Sequence, residues 1–206
     1  MYQKGWKRGL DFLLSSLALV VLWPIFILLV IAIKLDDPGP VFFRQKRVGL
    51  HKEYFYILKF RTMKMCAPHD TPTHLLKNPD QYITRVGRVL RKTSLDELPQ
   101  ILQIWTGKMS IIGPRPALWN QFDLIALRDQ YGANNVRPGL SGWAQVNGRD
   151  ELPVEVKAQY DGEYVQRIRF LFDCRCFFET IIKVLRHDGV VEGTARTEEK
   201  KELAEK

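Results

Sequence analysis

The hydrophobic and polar positions divide the chain into one long apolar segment and several shorter periodic ones. Residues 10–33 are almost continuously apolar, interrupted only by Asp11, Ser15, Ser16 and Pro24. As a helix, this segment would extend about 36 Å, which is enough to reach across the hydrocarbon of a bilayer. The pattern therefore predicts a membrane helix near the N-terminus.

Charges on both sides of this segment argue against a simple crossing. Lys4, Lys7 and Arg8 precede it and Lys34 follows it, and positive residues prefer the cytoplasmic side of a membrane. Pro24 lies near the middle, where a proline removes a backbone hydrogen bond and kinks a helix. Two shorter arms that meet at Pro24 could enter and leave by the same face; a helix that spans the bilayer is the simpler alternative.

Two shorter patterns lie C-terminal to the apolar segment. Residues 41–43 and 54–58 are β-prone runs around a turn that contains Gly49, which predicts a β-hairpin. Residues 171–185 repeat apolar side chains on one helical face, so this amphipathic helix either covers the core or lies in a membrane interface. Asp173 projects beyond the edge of the apolar stripe without a predicted partner, and is either a solvated charge or a site residue.

These elements predict one folded domain attached to a membrane segment. The length of 206 residues suits a single domain. We expect a membrane helix over residues 1–36, a compact domain over residues 37–191 and a charged tail over residues 192–206. The fold class is α+β and mostly helical, with a small hairpin and amphipathic helices around the domain.

Net charge narrows the choice of partners. Thirty-one basic residues against 23 acidic ones give a formal charge of +8 and a pI near 9.4, which indicates an anionic partner. Basic residues interleaved with aromatics, Lys59 and Arg61 among them, are also typical of nucleic-acid binding. Beside a membrane segment the same charges would contact acidic phospholipid headgroups. The sequence therefore favours phospholipids over nucleic acid.

The candidate chemistry centres on two adjacent carboxylates. Asp96 and Glu97 follow Ser94 in the first turn of a short helix that Gly107 ends. A helix N-terminus favours ionised carboxylates and also attracts phosphate. Taken alone, the pattern is explained by a capping box, in which Glu97 reaches back to the Ser94 amide.

Nearby arginines change that interpretation. Arg91 comes just before the carboxylates, and Arg115 lies between two prolines that would hold its guanidinium for bidentate phosphate recognition. A glycine-dense stretch runs from Arg137 to Arg149, and its backbone could approach a ligand closely. This stretch is either a well-turned loop or a phosphate or nucleotide subsite.

Three motifs in these stretches resemble the bacterial sugar transferases, the monotopic polyprenyl-phosphate phosphoglycosyl transferases. They are Ser94-Leu95-Asp96-Glu97-Leu98-Pro99-Gln100, Gly113-Pro114-Arg115-Pro116 and Arg137-Pro138-Gly139. The resemblance covers nearly the whole chain, and its length is similar to that of the minimal, catalytic-domain-only members. It implies a re-entrant membrane helix, although Trp23 stands before Pro24 where the family often has serine.

The resemblance also implies an activity. Such enzymes transfer a sugar-1-phosphate from a UDP-sugar to a polyprenyl phosphate (undecaprenyl phosphate), release UMP and begin the membrane steps of glycoconjugate assembly. Asp96 would then form a covalent phosphosugar intermediate and bind Mg²⁺, and Glu97 would orient or deprotonate the lipid phosphate. The residues expected to bind substrate are Lys59, Arg61, Arg91, Arg115, Arg137 and Asp173.

By the same resemblance, the protein belongs at the bacterial inner membrane with its catalytic domain on the cytoplasmic face. A homo-oligomer is compatible with the sequence, which does not fix the oligomeric state. Two other classes remain open. One is a non-catalytic membrane adaptor that binds acidic lipids, and the other is a glycosyltransferase that moves the sugar alone and releases UDP.

Overall fold

The computed structural model describes residues 2–67, 79–148 and 152–186. The predicted tail and Arg149 lie outside them. Its regular elements are α1 (Lys7–Asp36), β1 (Phe42–Val48), β2 (Tyr54–Phe60), α2 (Arg85–Lys92), α3 (Ile101–Trp105), β3 (Ser110–Ile112), α4 (Phe122–Gln130), β4 (Gly139–Ser141), α5 (Trp143–Val146), α6 (Val154–Gln166) and α7 (Phe170–Arg186). A π-helical turn, Tyr2–Trp6, and four 3₁₀ segments, Leu50–Lys52, Pro79–Gln81, Leu95–Gln100 and Ala133–Asn135, complete the described elements. This composition confirms the α+β, mostly helical class.

Helix α1 carries the apolar segment as one continuous helix of 30 residues with Pro24 inside it. The predicted division into two shorter helices is therefore not confirmed. A proline keeps a helical φ and removes one hydrogen bond, so the backbone can continue through it. By length and composition, α1 is the one described helix that could cross a membrane. Its middle is exposed: Val20 and Leu28 are 70% and 65% accessible.

Both ends of α1 contact the folded domain. Near its start, Arg8 donates a hydrogen bond to the carbonyl oxygen of Ile104 at 2.6 Å. Near its end, Ile33 is buried in a cluster with Phe60 and Leu90. Contacts with the domain also extend inward from each end, because Asp11 accepts a hydrogen bond from the Ile111 N–H and Phe26 packs on Phe60. The exposed stretch around Val20 lies between these two attached portions.

Strands β1 and β2 form the predicted antiparallel hairpin. Their register pairs Phe42 with Phe60 and Val48 with Tyr54. On the inner face of the hairpin, Ile57 is 3% exposed and lies opposite the polar Gln45, which is also buried. The hairpin prediction is confirmed, with both strands longer than the β-prone runs.

Strands β3 and β4 form a short parallel pair in which Ser110 lies opposite Gly139. Glycines allow the two segments to pack backbone against backbone. A Cβ on Gly139 would lie 2.2 Å from the Gly113 nitrogen, and one on Gly142 would lie 2.0 Å from the Gly113 oxygen. Close backbone packing therefore explains the glycines that follow Arg137, and this explanation does not depend on a ligand.

One of the buried hydrophobic clusters of the described residues lies where α5, α6 and α7 meet β3. Tyr164, 1% exposed, belongs to a buried cluster with Trp143 and Ile112. A second buried contact joins α4 to α6, because Arg128 Nη2 lies 2.6 Å from Asp161 Oδ2 and both side chains are almost fully buried. These contacts hold α4 against α6, and α5, α6 and α7 against β3.

Helix α7 turns its apolar stripe outward. Phe178 is 62% exposed and Leu185 is 73% exposed, whereas Asp173 and Cys176 are buried. The sequence left open whether this helix covers the core or lies in a membrane interface. The opposite face of α7 covers the core through Cys176 and Phe172, and the stripe itself faces away from the core. Exposed apolar patches of this kind mark contact surfaces. The other exposed members of the stripe are Leu171, Phe177, Ile181 and Ile182.

Candidate active site

Asp96 and Glu97 lie in the 3₁₀ segment Leu95–Gln100, directly before α3. The sequence predicted one helix with the carboxylates in its first turn, and the first turns are instead 3₁₀. Ser94 has a left-handed backbone (φ 58°) and its side chain makes no capping hydrogen bond. The capping-box explanation is therefore wrong. Gly107, with φ of 84°, follows the end of α3 as predicted.

Glu97 binds two cations through one oxygen atom. Its Oε1 accepts a hydrogen bond from Lys59 Nζ at 2.6 Å and another from Arg115 Nη2 at 2.7 Å. Lys59 comes from β2 and Arg115 from the Pro-Arg-Pro segment after β3, so this carboxylate joins three separate parts of the chain. Glu97 thus holds both cations beside Asp96.

Asp96 is less strongly paired than its neighbour. Its Oδ2 lies 3.6 Å from Lys59 Nζ, compared with 2.6 Å between the same nitrogen and Glu97. Asp96 is nevertheless buried, with 9% of its surface exposed. A buried carboxylate beside cations, without a tight ion pair to Lys59, can act on a phosphate that those cations hold.

The surroundings push the pKa values of the two carboxyls apart. Burial raises the pKa of Asp96 above that of an ordinary aspartate; the charge of Lys59 opposes this rise, and the charge of Glu97 adds to it. Burial also raises the pKa of Glu97, but Arg115 and Lys59 together outweigh it and hold this pKa far below the usual range. Neighbouring carboxyls with opposite shifts are suited to different roles. Glu97 is fitted to remain an anion, and Asp96 is the more basic of the two.

Arg91 and Arg61 occupy different surroundings. Arg91 Nε donates to the Thr62 hydroxyl at 3.1 Å, and the positive charge of Arg91 lowers the pKa of Asp96. Arg61 is 5% exposed and pairs with Asp37 at 2.5 Å, so it ties the end of the hairpin to the chain just after α1. Arg91 therefore belongs with Lys59, Asp96, Glu97 and Arg115, which together form the carboxylate cluster. Substrate binding by Arg61 stays a prediction.

Arg137 lies apart from the carboxylate cluster. Its Nε donates to the Gly107 carbonyl oxygen at 2.9 Å, just beyond the end of α3. Within the described part of the chain, it makes no hydrogen bond or ion pair with Asp96 or Glu97. Its predicted role in substrate binding therefore stays a prediction.

Asp173 has three partners where the sequence indicated none. Its carboxylate accepts hydrogen bonds from Lys7 at 2.5 Å, Tyr2 at 2.6 Å and Tyr164 at 2.8 Å. The expectation of an unpartnered carboxylate is wrong because the N-terminal segment folds over this edge of α7, which periodicity within the helix cannot reveal. Asp173 attaches the start of the chain to α7, and a contact with substrate stays a prediction.

Gln103 supports the site, and the sequence analysis missed it. Its Oε1 accepts the backbone N–H of Leu58 at 3.0 Å, and its Nε2 donates to the Tyr56 carbonyl oxygen at 2.5 Å. This side chain ties α3 to β2 next to Lys59 and so fixes the lysine relative to the carboxylates. A polar residue inside the apolar run after Asp96 was the signal that could have identified it.

Metal binding at this site would rest on a small number of protein ligands. Within the described residues, no group of three or more His, Cys, Asp or Glu gathers at one point. Mg²⁺ usually takes one or two carboxylates and completes its shell with water and substrate phosphates. Asp96 therefore fits a metal that shares its coordination with a phosphorylated substrate.

Taken together, the site brings a buried carboxylate of raised pKa together with Lys59, Arg91 and Arg115 in a domain that carries a long apolar helix. Residues 2–187 match the bacterial sugar transferase family. The chain belongs to this family, which confirms the resemblance drawn from its motifs.

Three relatives illustrate the range of the match. A UDP-glucose:undecaprenyl-phosphate glucose-1-phosphate transferase of Xanthomonas campestris pv. campestris is 42% identical over 85% of this chain and 38% of its own length. The sugar transferase EpsL of Bacillus subtilis (strain 168) is 39% identical over 89% of each chain. A UDP-N-acetylgalactosamine-undecaprenyl-phosphate N-acetylgalactosaminephosphotransferase of Aeromonas hydrophila is 37% identical over 89% of this chain and 44% of its own. The chain thus spans less than half of the first and third of these relatives.

Proposed function

We propose that this chain transfers a sugar-1-phosphate from a UDP-sugar to a polyprenyl phosphate such as undecaprenyl phosphate, with release of UMP. The observation that carries the proposal is the buried Asp96 carboxylate, of raised pKa, beside the cations that Glu97 holds. The names of the Xanthomonas and Aeromonas relatives describe transfer of this kind with two different sugars. The family therefore supports the reaction type and leaves the sugar open. The product would enter the assembly of a bacterial glycoconjugate.

In the first half-reaction, an Asp96 oxygen attacks the β-phosphorus of the UDP-sugar. The bond between that phosphorus and the bridging oxygen breaks, and its electron pair leaves with UMP. A carboxylate is a recognised nucleophile for phosphoryl transfer. The raised pKa makes Asp96 a more basic nucleophile than an ordinary aspartate. The resulting acyl phosphate carries the sugar on the protein.

In the second half-reaction, a phosphate oxygen of the polyprenyl phosphate attacks the phosphorus of the intermediate. The bond from this phosphorus to the Asp96 oxygen breaks, which regenerates the carboxylate and leaves a polyprenyl-diphosphate-sugar. Glu97 is a weak base because two cations hold its pKa low. Its contacts therefore support the orienting role over deprotonation of the lipid phosphate.

Both half-reactions bring phosphates close to two carboxylates, and the repulsion must be offset. Lys59 and Arg115 can donate to phosphate oxygens while Glu97 keeps them in position, and Arg91 adds a third positive charge. Mg²⁺ bound by Asp96 and the donor diphosphate would supply further charge neutralisation.

Attachment of α1 at both ends supports a re-entrant geometry for the membrane helix. A helix that crosses a bilayer has its ends on opposite sides, so a domain on one side could contact only one of them. Here Arg8 and Ile33 both contact the domain, and the exposed apolar middle lies between them. We therefore place α1 in the membrane with both ends at the same face. Basic residues at each end favour the cytoplasmic face of the bacterial inner membrane.

The outward stripe of α7 supports a second contact with phospholipid. Its phenylalanine and aliphatic side chains suit the apolar layer just below the headgroups. Together with α1, this contact would keep the site at the depth where the phosphate of a polyprenyl phosphate lies.

The test is nucleotide release by the purified chain with Mg²⁺, polyprenyl phosphate and a panel of UDP-sugars. UMP released with one sugar, and lost in Asp96→Asn, supports the proposal and names the donor. Asp123→Asn, an exposed carboxylate of α4, is the matched control and keeps full activity. Release of UDP would indicate a glycosyltransferase. No nucleotide release, with lipid binding intact in Asp96→Asn, would indicate an adaptor.

A further inference from the structure

A second polar cavity lies at the start of α1, away from the carboxylate cluster. It has a volume of about 180 Å³ and lies between the N-terminal segment, the hairpin turn and the residues around β3 and α6. Lys59, Arg91, Asp96, Glu97 and Arg115 are not among the residues that line it. The lining residues that matter are Lys7, Arg8, Asp11, His51, Ser110 and Arg137. We propose that this N-terminal cavity binds a phosphate group, in the form of a phosphate monoester or diester.

The cavity has an excess of positive charge. Arg8 donates to the carbonyl oxygens of Ile104 and Trp105, both at 2.6 Å, and Arg137 donates to that of Gly107 at 2.9 Å. These acceptors are neutral, and within the described residues neither arginine has a carboxylate partner. Both guanidinium charges are therefore left for an anion.

The two other charged lining residues do not cancel this excess. Lys7 is neutralised by Asp173, which pairs with it at 2.5 Å. Asp11 is the one carboxylate among the lining residues, and its Oδ1 accepts the backbone N–H of Ile111 at 3.0 Å. Two arginine charges against one carboxylate leave a net positive cavity.

Hydrogen-bond donors at the cavity are already in position. The two carbonyl contacts fix the guanidinium of Arg8, which has five N–H groups and so keeps others for a ligand. A phosphate oxygen is the acceptor that the two guanidinium groups would share.

The size and position of the cavity indicate what carries the phosphate. Pockets for whole small molecules usually measure about 300 to 1,000 Å³, so 180 Å³ suits a phosphate group better than a nucleotide sugar. The residues from Lys7 to Asp11 form one wall and lead directly into the exposed apolar part of α1. If both ends of α1 lie at the membrane face, as the proposed function holds, the cavity lies at the headgroup plane. The phosphate would then come from an acidic phospholipid or from solution.

The experiment measures binding of two probes to the full-length chain without donor or polyprenyl phosphate. One probe is phosphatidylglycerol, added to phosphatidylcholine nanodiscs, and the other is inorganic phosphate, added to the protein in detergent. The rise in the melting temperature with increasing probe content gives the affinity for each probe. Arg8→Gln and Arg137→Gln each remove one guanidinium charge. Arg85→Gln removes the same charge from an exposed position on α2 and serves as the matched control.

We expect at least one probe to bind, with affinity reduced about tenfold in Arg8→Gln and in Arg137→Gln and unchanged in Arg85→Gln. Binding of phosphatidylglycerol alone would identify a lipid headgroup, and binding of inorganic phosphate alone would identify a free anion. The proposal is overturned if neither probe binds, or if all three variants bind like the parent. Because no nucleotide is present, this result is independent of whether the chain releases UMP.

Discussion

Glu97 and Arg115 are joined by a hydrogen bond of 2.7 Å between Oε1 and Nη2. This contact holds the arginine of the Pro-Arg-Pro segment next to Asp96. The same Glu97 oxygen also accepts a hydrogen bond from Lys59. Glu97, the neighbour of the proposed nucleophile Asp96, thus anchors the two cations that we propose bind phosphate.

Substitution Glu97→Gln tests this anchoring role. It removes the charge that holds both cations, so we expect kcat/KM for the UDP-sugar to fall about ten- to a hundredfold. The charge of Glu97 also raises the pKa of Asp96, and Asp96 must be ionised to attack. Loss of the Glu97 charge therefore lowers the pKa of Asp96 and moves the acidic limb of the plot of kcat/KM against pH to lower pH.

Half-reaction kinetics separate anchoring from base catalysis. An anchoring Glu97 slows the UMP burst even when polyprenyl phosphate is left out, because donor binding needs both cations. A Glu97 that only deprotonates the lipid phosphate would leave the burst unchanged and slow the acceptor step alone. That second pattern would refute the anchoring role.

Lys59→Met is expected to move the acidic limb in the opposite direction. The positive charge of Lys59 lowers the pKa of Asp96, so its removal raises that pKa and shifts the limb to higher pH. Lys92→Met, an exposed lysine at the end of α2, removes the same charge and should leave the profile in place. An unmoved limb in Lys59→Met would mean that another group controls it.

Asp173→Asn tests whether Asp173 is structural or binds substrate. The change removes the anion that pairs with the partly buried Lys7, and breaking such a pair costs about 3 kcal/mol. We expect the free energy of unfolding, measured by urea denaturation in detergent, to fall by that amount. The KM for the UDP-sugar of the folded fraction should not change. A raised KM with unchanged stability would instead support the substrate contact that the sequence suggested.

Gly142→Ala tests the packing of the glycine-dense stretch. A Cβ at this position would lie 2.0 Å from the Gly113 carbonyl oxygen, and overpacking of this kind costs about 1–3 kcal/mol. We expect a corresponding loss of stability in thermal unfolding. Gly9→Ala, where a Cβ meets nothing within 4 Å, should be neutral or slightly stabilising. Equal stability of the two variants would contradict the packing explanation.

Local patterns were enough to predict several elements. The apolar helix, the hairpin and the amphipathic α7 are all predicted by periodicity and turn residues that lie close together in the sequence. The motifs around Asp96 and Arg115 identified the family for the same reason, because each motif is short and continuous. Such local patterns carry no information on how one element packs against another.

Contacts distant in sequence decided the remaining features. Lys7 and Asp173 are 166 positions apart, so nothing in α7 alone indicated that this carboxylate has a partner. The pairing of Glu97 with Lys59 and Arg115 depends on a strand and a loop that meet only in the fold. The outward direction of the α7 stripe likewise depends on which face the N-terminal segment covers.

Covalent transfer through Asp96 is tested most directly by the intact mass of the protein after incubation with its UDP-sugar and Mg²⁺ in the absence of polyprenyl phosphate. We predict a mass increase of one phosphosugar, located on Asp96, together with one equivalent of UMP. The added mass should disappear when polyprenyl phosphate is supplied, and should never form in Asp96→Asn. A chain that releases UMP only when the acceptor is present, and never gains mass, would contradict the covalent mechanism.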